Sequence, residues 1–452
     1  MKNVYTYLSL LSLVMMTACG GSGGGGSHSS GPADPRLLTS IPEGHHSHTT
    51  AVTEDGQKVV VAGGYEAGLS PSQNVFTYGT YTRDTYDVAG SPVKADLFEP
   101  RALHTQTRAT LGGSKAPRGS MLIVGGQSED LLGPYVSNTA DVYDPNSDRF
   151  VSAIGNLRIP RKNHTVTEIT DPASFYYGQF VIIGGQDNSG NILNTAEIFD
   201  PMTGGFTYIS ARLNTPREEH TATALKSGGI LIVGGNTRGF FGVESTDTGE
   251  VFDSVNLSFV PVLGRMSNAR RYHTATYIDN KTPTNTADDA VLITGGLDEK
   301  GFTYSSADFY DPFMGRFVPV GSHLPKAVFR HAAVALPNSI SGDVALTGGF
   351  TSLNLSNTLR SDPTEQVVIF NYTYTGNAPD GYFTRTTNMG FLEAHVGAHN
   401  RLSFSPYFHE APRLEDLILL CEEDRSSLVY HRYSTELVPR HGLKPKKSFD
   451  VF

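Results

Sequence analysis

Residues 217–259 read REEHTATALKSGGILIVGGNTRGFFGVESTDTGEVFDSVNLSF, and their order of apolar runs and turns decides the fold. His220 to Leu225 alternates as a short strand does, with a period of two. A Ser-Gly-Gly turn leads to Ile230-Leu-Ile-Val233, four apolar residues in a row that suit a strand buried on both faces. Gly234-Gly235 ends that strand, where a backbone without Cβ can turn sharply or admit a close neighbour. A polar loop, a third strand at Gly249–Asp253 and a fourth beginning near Phe259 complete one antiparallel four-stranded unit.

The unit recurs through the chain. An apolar run closed by Gly-Gly ends at Gly64, Gly126, Gly185, Gly235, Gly296 and Gly349, at intervals of about fifty to sixty residues. Upstream of each run stands a His that opens the first strand: His48, His104, His164, His220, His273 and, in altered surroundings, His331. Arg101, Arg161, Arg217 and Arg270 each precede their His by three positions. The third strand returns as Ala140–Pro145, Ala196–Pro201 and Ala307–Pro312, and Ala95-Asp-Leu-Phe-Glu-Pro100 reads as a looser copy. Its Asp-Pro ending is turn chemistry, and an aromatic follows at Phe150, Phe206, Phe259 or Phe317.

Three elements in fixed order resemble the kelch repeat, and in wording they are similar to bacterial kelch proteins that resemble the central domain of galactose oxidase. The resemblance covers roughly residues 37–390 and implies an all-β, six-bladed propeller of four-stranded antiparallel blades, with seven blades as the alternative. Those relatives usually carry Trp on the fourth strand; this chain of 452 residues has none and places Phe there. Aromatic packing survives that exchange, but the indole N–H is lost. Pro35–Gly44 matches the fourth-strand pattern, so residues near Leu37–Ile41 are expected to pair into the last blade beside Val344–Leu346 and close the ring. The stretch between Gly64 and Ala95 reads as an enlarged loop with an extra hairpin.

Outside the repeats, residues 1–19 read as a secretory signal: Lys2, an interrupted apolar stretch, then Met16-Thr-Ala-Cys19, which resembles a bacterial lipobox with Cys19 lipidated. Residues 20–36 form a Gly/Ser-rich tether. The expected place is the bacterial cell envelope, at the outer membrane if there is one. Residues 391–452 break the pattern as an atypical extension, within which apolar residues at 414, 417, 418 and 421 suit an amphipathic helix. Cleavage leaves Cys421 as the sole cysteine, which excludes an internal disulfide and a Cys metal cluster. A formal net charge of −10 and the lack of a basic run argue against nucleic-acid binding.

The candidates for chemistry are each weighed against a structural role. The repeated His residues would form a ring near one end of the channel; a residue present in every blade is more often there to hold the blade. Arg101, Arg161, Arg217 and Arg270 suit planar recognition of carboxylates, or pairing with an acid of the adjacent blade. Tyr135, Arg238, Phe240, Phe241, Phe302 and Tyr304 put aromatics and a cation where loops are normally polar, and complete the candidate ligand face. Asp187-Asn-Ser-Gly-Asn191 is a turn, lacking the bidentate Glu of a calcium loop. No metal or cofactor is expected.

Galactose oxidase-like copper chemistry has no Tyr–Cys pair to match, and sialidase boxes need Trp. The expected function is therefore a membrane-anchored, monomeric module binding a protein or glycan. The enzymatic alternative resembles N-acetylneuraminate epimerases, with the Arg/His ring and Glu218 or Glu219 as acid–base groups.

Overall fold

The computed structural model describes residues 45–46, 49–52, 59–66 and 85–86, and then 97–385 except 131–132, 148, 152–154, 241, 280–287, 336–341, 348, 354–360, 364–366 and 375–377. Strands at 400–401, 418–421 and 427–429 are also described. Residues 1–44, which include Cys19, the tether and Leu37–Ile41, lie outside the described residues, as does Phe241.

The second strand of each repeat forms the core. Met121–Val124, Phe180–Ile183, Ile230–Val233 and Ala290–Thr294 are buried from end to end. Side chains alternate across a strand, so a strand clamped between two others needs apolar residues at every position. Phe180 and Ile182 pack toward the preceding sheet with Leu122 and Val124, whereas Val181 and Ile183 pack toward the next with Ile230 and Ile232. Leu231 and Val233 in turn meet Val291 and Ile293. The core is thus a series of layers between sheets standing face to face.

We number the sheets in chain order. Sheet 1 holds Thr49–Val52, Val59–Ala62 and Thr85–Tyr86. Sheet 2 holds Thr105–Arg108, Met121–Val124, Ala140–Asp144 and Arg149–Val151. Sheet 3 holds Thr165–Glu168, Phe180–Ile183, Thr195–Asp200 and Gly205–Arg212. Sheet 4 holds Thr221–Ala224, Ile230–Val233, Gly249–Asp253 and Ser258–Pro261. Sheet 5 holds Thr274–Ile278, Ala290–Thr294, Ala307–Asp311 and Arg316–Pro319. Sheet 6 holds Ala332–Ala335, Val344–Thr347, Val367–Tyr374 and Pro379–Arg385. Every strand pairing within these sheets is antiparallel, sheets 2 to 6 are four-stranded meanders, and each first strand neighbours the first strand of the next sheet. This is the blade arrangement of a propeller, and no helix occurs among the described residues.

The aromatic of the fourth strand sits directly opposite an aromatic of the third: Tyr143 faces Phe150, Phe199 faces Phe206, Phe252 faces Phe259, Tyr310 faces Phe317 and Phe370 faces Phe383. Ring centroids lie 4.8 to 6.1 Å apart, within the range of favourable offset and edge contacts. Phe fills the place of Trp because this seam needs ring area and no buried donor.

In sheet 6 the fourth strand among the described residues is Pro379–Arg385, from its own repeat; the expected pairing of Leu37–Ile41 lies outside the described residues. Two expectations are corrected. Ala95–Pro100 is not a third strand; Thr85–Tyr86 takes that position. Leu97 is buried four positions before Arg101, as Leu157 is before Arg161 and Leu213 before Arg217, so this segment is the connection between sheets that happens to share the letters of a strand. Finally, Ile418–Cys421 is a strand between Asn400–Arg401 and Ser427–Val429, not part of a helix; its continuous apolar run outweighs the partial helical spacing. In the enlarged first loop, Tyr65–Glu66 pairs with His45–His46.

The Gly-Gly pairs are positions that only glycine fits. Gly234 has φ +62 and Gly235 φ +86, both in the left-handed region. A Cβ on Gly235 would collide with the Glu218 carbonyl and the His220 backbone, and one on Gly234 with the Arg270 carbonyl and the His273 ring. Gly190 has a similar φ of +78 but nothing within 4 Å. Gly190→Val is therefore expected to cost about 1–3 kcal/mol from backbone strain, and Gly235→Val more, because collision adds to strain. Thermal melts of the two variants beside the wild type check this; equal losses would show that close approach contributes nothing.

Candidate functional site

In sheets 2 to 5 the carbonyl of the first glycine of each pair accepts from a buried arginine. Arg101, Arg161, Arg217 and Arg270 have no exposed surface and are the largest fully buried side chains among the described residues. In Arg217, Nη1 donates to the carbonyls of Gly234 (3.0 Å) and Thr248 (3.2 Å), Nη2 donates to Thr248 Oγ1 (3.2 Å) and Glu250 Oε1 (2.9 Å), and Nε donates to the Thr215 carbonyl (3.3 Å). All five N–H donors are used. Arg161 repeats the set on Gly184, Thr195, Glu197 and Ile159, and Arg270 on Gly295, Ser306, Asp308 and Asn268. Arg101 does so on Gly125, Thr139, Asp141 and Glu99. The carboxylate also accepts from backbone: Glu250 from the Asn214 and Thr215 amides, Glu197 from Arg158 and Ile159.

The four arginines are thus removed from the candidate ligand face, and their acid belongs to the third strand of their own sheet rather than to an adjacent one. Burial pulls the guanidinium affinity of Arg161, Arg217 and Arg270 for protons downward, and the acid beside each opposes it. While the side chain ties its own sheet, the backbone ties the previous one: the Arg217 carbonyl accepts from Gly185 N at 2.9 Å and the Arg270 carbonyl from Gly235 N at 2.9 Å. In sheet 6 both partners are replaced together, Val328 for the Arg and Val368 for the acid, inside one apolar cluster.

The described histidines, His104 to His331, stand in a structural series from sheet to sheet, and His48 lies outside the described residues. His104 Nε2 lies 2.6 Å from Thr49 Oγ1, His164 3.0 Å from Thr105, His220 2.9 Å from Thr165, His273 3.0 Å from Thr221 and His331 3.0 Å from Thr274. Each imidazole therefore ties its sheet to the first strand of the one before. Burial and the neighbouring Arg hold His220 down to about 3, burial and Arg270 do the same to His331, and His164 and His273 are also held well below their ordinary value. Neutral rings in van der Waals reach of glycine are poorly placed to take a ligand. Among the described residues no group of three His, Cys, Asp or Glu could hold a metal ion.

What varies lies between the Arg and the His. The second of these two residues is left-handed in every sheet from 2 to 6: Leu103 (φ 57), Asn163 (φ 54), Glu219 (φ 55), Tyr272 (φ 52) and Arg330 (φ 52). Such a backbone in a non-Gly residue costs energy and is held by its surroundings. Here Asn163 N donates to the Leu103 carbonyl, Glu219 N to Asn163 and Arg330 N to Tyr272, at 2.8 to 3.1 Å, each step passing from one sheet to the next around the channel mouth. The preceding residues, Ala102, Lys162, Glu218, Arg271 and Phe329, bridge to the residue after each Gly-Gly.

Together they form a mixed pool. Glu219 accepts from Arg271 Nη1 (2.9 Å), Asn236 Nδ2 (3.0 Å) and the Tyr272 hydroxyl. Glu218 accepts from Asn163 Nδ2 (3.0 Å) and Gln186 Nε2 (3.2 Å), and burial, with Glu219 next to it, pushes it up to about 7. Lys162 Nζ donates to Gln127 Oε1 at 2.8 Å. Arg330 lies over the Tyr272 ring, 4.1 Å from its centroid, and Leu297, Phe329 and Phe350 pack beside that ring. The mouth is polar over sheets 3 and 4 and aromatic over sheets 5 and 6. Only Glu218 and Glu219 of this pool stood out in the sequence; the signal for the rest is that fixed Arg and His flank two residues that never repeat.

The loop candidates lie on this same side, beyond the Gly-Gly pairs. Hairpins leave sheet 2 at Gln127–Asp130 and Gly133–Val136, and sheet 4 at Asn236–Gly239 and Gly242–Ser245. Each leans on the next sheet's loop: Val136 N donates to Asn188 Oδ1 (2.9 Å) and Ser245 N to Glu299 Oε2 (3.2 Å). Tyr135 is half-buried and donates its hydroxyl to Glu99. Burial would raise the Glu99 pKa, but hydrogen bonds from Ser137, Thr139 and Tyr135 and the Arg101 charge outweigh it and lower it. Tyr304 is half-buried, 5.7 Å from the Arg270 guanidinium. Arg238, Phe240 and Phe302 are exposed.

Two expectations follow. Arg217→Ala leaves Glu250 buried without its cation and should cost about 3–5 kcal/mol, whereas Arg217→Val combined with Glu250→Val, copying sheet 6, should recover most of it; a double variant melting no higher than the single one would refute this. As for pH, His220 and His331 titrate near 3 in the fold and near 6.5 when unfolded. The unfolded chain therefore binds more protons between these values, and stability falls as pH drops through that window. Glu218, raised to about 7, works in the opposite sense between its unfolded value and 7, but it is one group against the histidine series. Melting temperature should decline from about pH 6 downward; a flat profile to pH 4 would refute neutral, buried rings.

The family model for the Kelch motif matches residues 173–210, which hold the second and third strands of sheet 3 and most of the fourth. No curated protein matches the sequence. Among solved structures, the one titled "Structure of YjhT" is similar at 14% identity and a TM-score of 0.49, over 74% of this chain and 97% of that chain. The strands, Gly-Gly ends and aromatic pairs of the matched sheet recur in its neighbours, so the fold is a kelch-repeat β-propeller.

Proposed function

We propose that this chain is a membrane-anchored binding module of the cell envelope: a six-bladed kelch propeller, held by a lipid on Cys19, that takes a protein or glycan ligand at the channel mouth. One observation carries the reading. At five symmetric positions the backbone keeps a costly left-handed turn, yet the side chains are Leu103, Asn163, Glu219, Tyr272 and Arg330. A position serving only the scaffold would settle on Gly or Asn, as the Gly-Gly pairs settle on Gly. Five different chemistries around one mouth instead suit the recognition of one asymmetric ligand, with an aromatic plate on one side and amides and charges on the other.

A second reading, an acid–base enzyme acting on a sugar, is favoured by the adjacent carboxylates. Burial, with Glu219 beside it, pushes Glu218 toward neutrality, while Glu219 accepts hydrogen bonds from Arg271 and Tyr272; a carboxyl poised near neutral pH is the kind that can give a proton.

The test uses glycan and envelope-peptide arrays. Wild type should retain a defined class, and Tyr272→Phe with Arg330→Ala should lose it while melting within a few degrees of wild type. Binding that survives the double variant would place the ligand elsewhere. Cys19→Ser should move the protein out of the membrane fraction; a variant still membrane-bound would end the anchoring part of the proposal.

A further inference from the structure

We infer that the outer rim of sheet 3 holds an anion site, made by Arg158 and Arg212 gathered on the Tyr208 ring, for a sulfate or phosphate group. The Arg158 guanidinium lies 4.9 Å from the centroid of that ring and the Arg212 guanidinium 5.2 Å, both close enough for a cation–π contact. Both arginines are exposed, and among the described residues neither guanidinium has an ion pair or a hydrogen bond. The buried Arg161, Arg217 and Arg270 each have an acid, and so does the exposed Arg265. Two cations drawn to one ring repel each other, and they stand without an acid in a chain whose formal net charge is −10. A bound anion removes that repulsion.

The local backbone is shaped to bring these groups together. Tyr208 is half-buried on the fourth strand, the outermost of the sheet, and stands opposite Glu197, the acid of Arg161. The residues opposite the corresponding acids are Pro261 in sheet 4 and Pro319 in sheet 5. Three positions before its buried arginine, sheet 3 has Arg158, where sheets 4 and 5 have Asn214 and Ser267. The Arg158 main chain is held by its amide, which donates to Glu197 Oε2 at 2.7 Å. Arg212 arrives through a bulge: Glu197 faces Tyr208 but Thr195 faces Arg212, so a step of two residues on the third strand meets a step of four on the fourth. The third and fourth strands of sheets 2, 4, 5 and 6 keep their register. Four residues of a regular strand span roughly 13 Å; the bulge re-aims the strand, and Arg212 comes back onto the ring.

The chemistry of the two forks selects the ligand. A carboxylate has two oxygens and is satisfied by one guanidinium, whereas the three or four oxygens of a sulfate or phosphate group can accept from both. Stacking on Tyr208 sets the guanidinium planes before the ligand arrives, which lowers the ordering cost of binding. The site uses no residue of the mouth and does not require a lipid on Cys19.

Calorimetric titration of the full chain with dextran sulfate, and with inorganic phosphate, tests this; uncharged dextran serves as the blank. Wild type should bind dextran sulfate, and Arg158→Gln combined with Arg212→Gln should weaken binding about tenfold or more. Arg316→Gln removes an exposed arginine from the fourth strand of sheet 5 and should leave binding unchanged. All variants should melt within a few degrees of wild type; Arg212→Gln alone, which leaves the Arg158 connection untouched, should still weaken binding. Inorganic phosphate that competes with dextran sulfate would show that the bare oxyanion suffices, and phosphate that does not would assign the site to an ester on a polymer. Binding of neither probe overturns the inference. So does an equal loss in Arg316→Gln, because any surface cation would then serve as well.

Discussion

A guanidinium with all five of its donors satisfied inside the protein is the constraint on which the rest depends. Burying a cation is costly unless geometry and hydrogen bonding are nearly complete. Arg217 meets that condition by collecting a carboxylate, a hydroxyl and three carbonyls from one sheet and its connection. Those carbonyls are free to point inward because the Gly-Gly pair turns the backbone in a way no other residue allows. The same arginine's carbonyl then receives the amide of the previous sheet's second glycine. Side chain and main chain of one residue thus couple two blades, and the His–Thr contact repeats that coupling one turn further along the chain.

Much of this fold was legible. The apolar runs, the glycine pairs and the recurring aromatics are strong because each answers a requirement that few residue types meet: burial on two faces, positive φ with a close neighbour, and ring area across a seam. The arginines were not, since an Arg that recognises a ligand and an Arg locked in the interior carry the same letter. A signal did exist within the chain. Asp141, Glu197, Glu250 and Asp308 accompany their arginines, and Val368 appears where Val328 replaces the Arg. Loss of both partners together marks a pair in contact. Ala95–Pro100 was misread for the opposite reason, because a sequence pattern of six letters carries no information about what lies four residues before a buried Arg.

The candidate site was legible only at its edge. Glu218 and Glu219 stood out as charges beside a conserved-looking frame of Arg and His within the repeats, but the left-handed backbone under Glu219 did not. Propensity predicts Gly or Asn at such a φ, and only Asn163 obeys. The remaining four are imposed by hydrogen bonds between sheets, which are contacts between residues about sixty positions apart and hence invisible to any local reading.

That frame has a consequence for how the protein can change. The backbone at Leu103, Asn163, Glu219, Tyr272 and Arg330 is fixed from outside the residue, by carbonyls and amides of adjoining sheets, so the turn itself does not require one particular side chain there. One letter per blade can be rewritten while the arginines, histidines and glycines stay as they are. Variants of this chain could therefore explore many different mouths in single steps, each beginning from a folded protein.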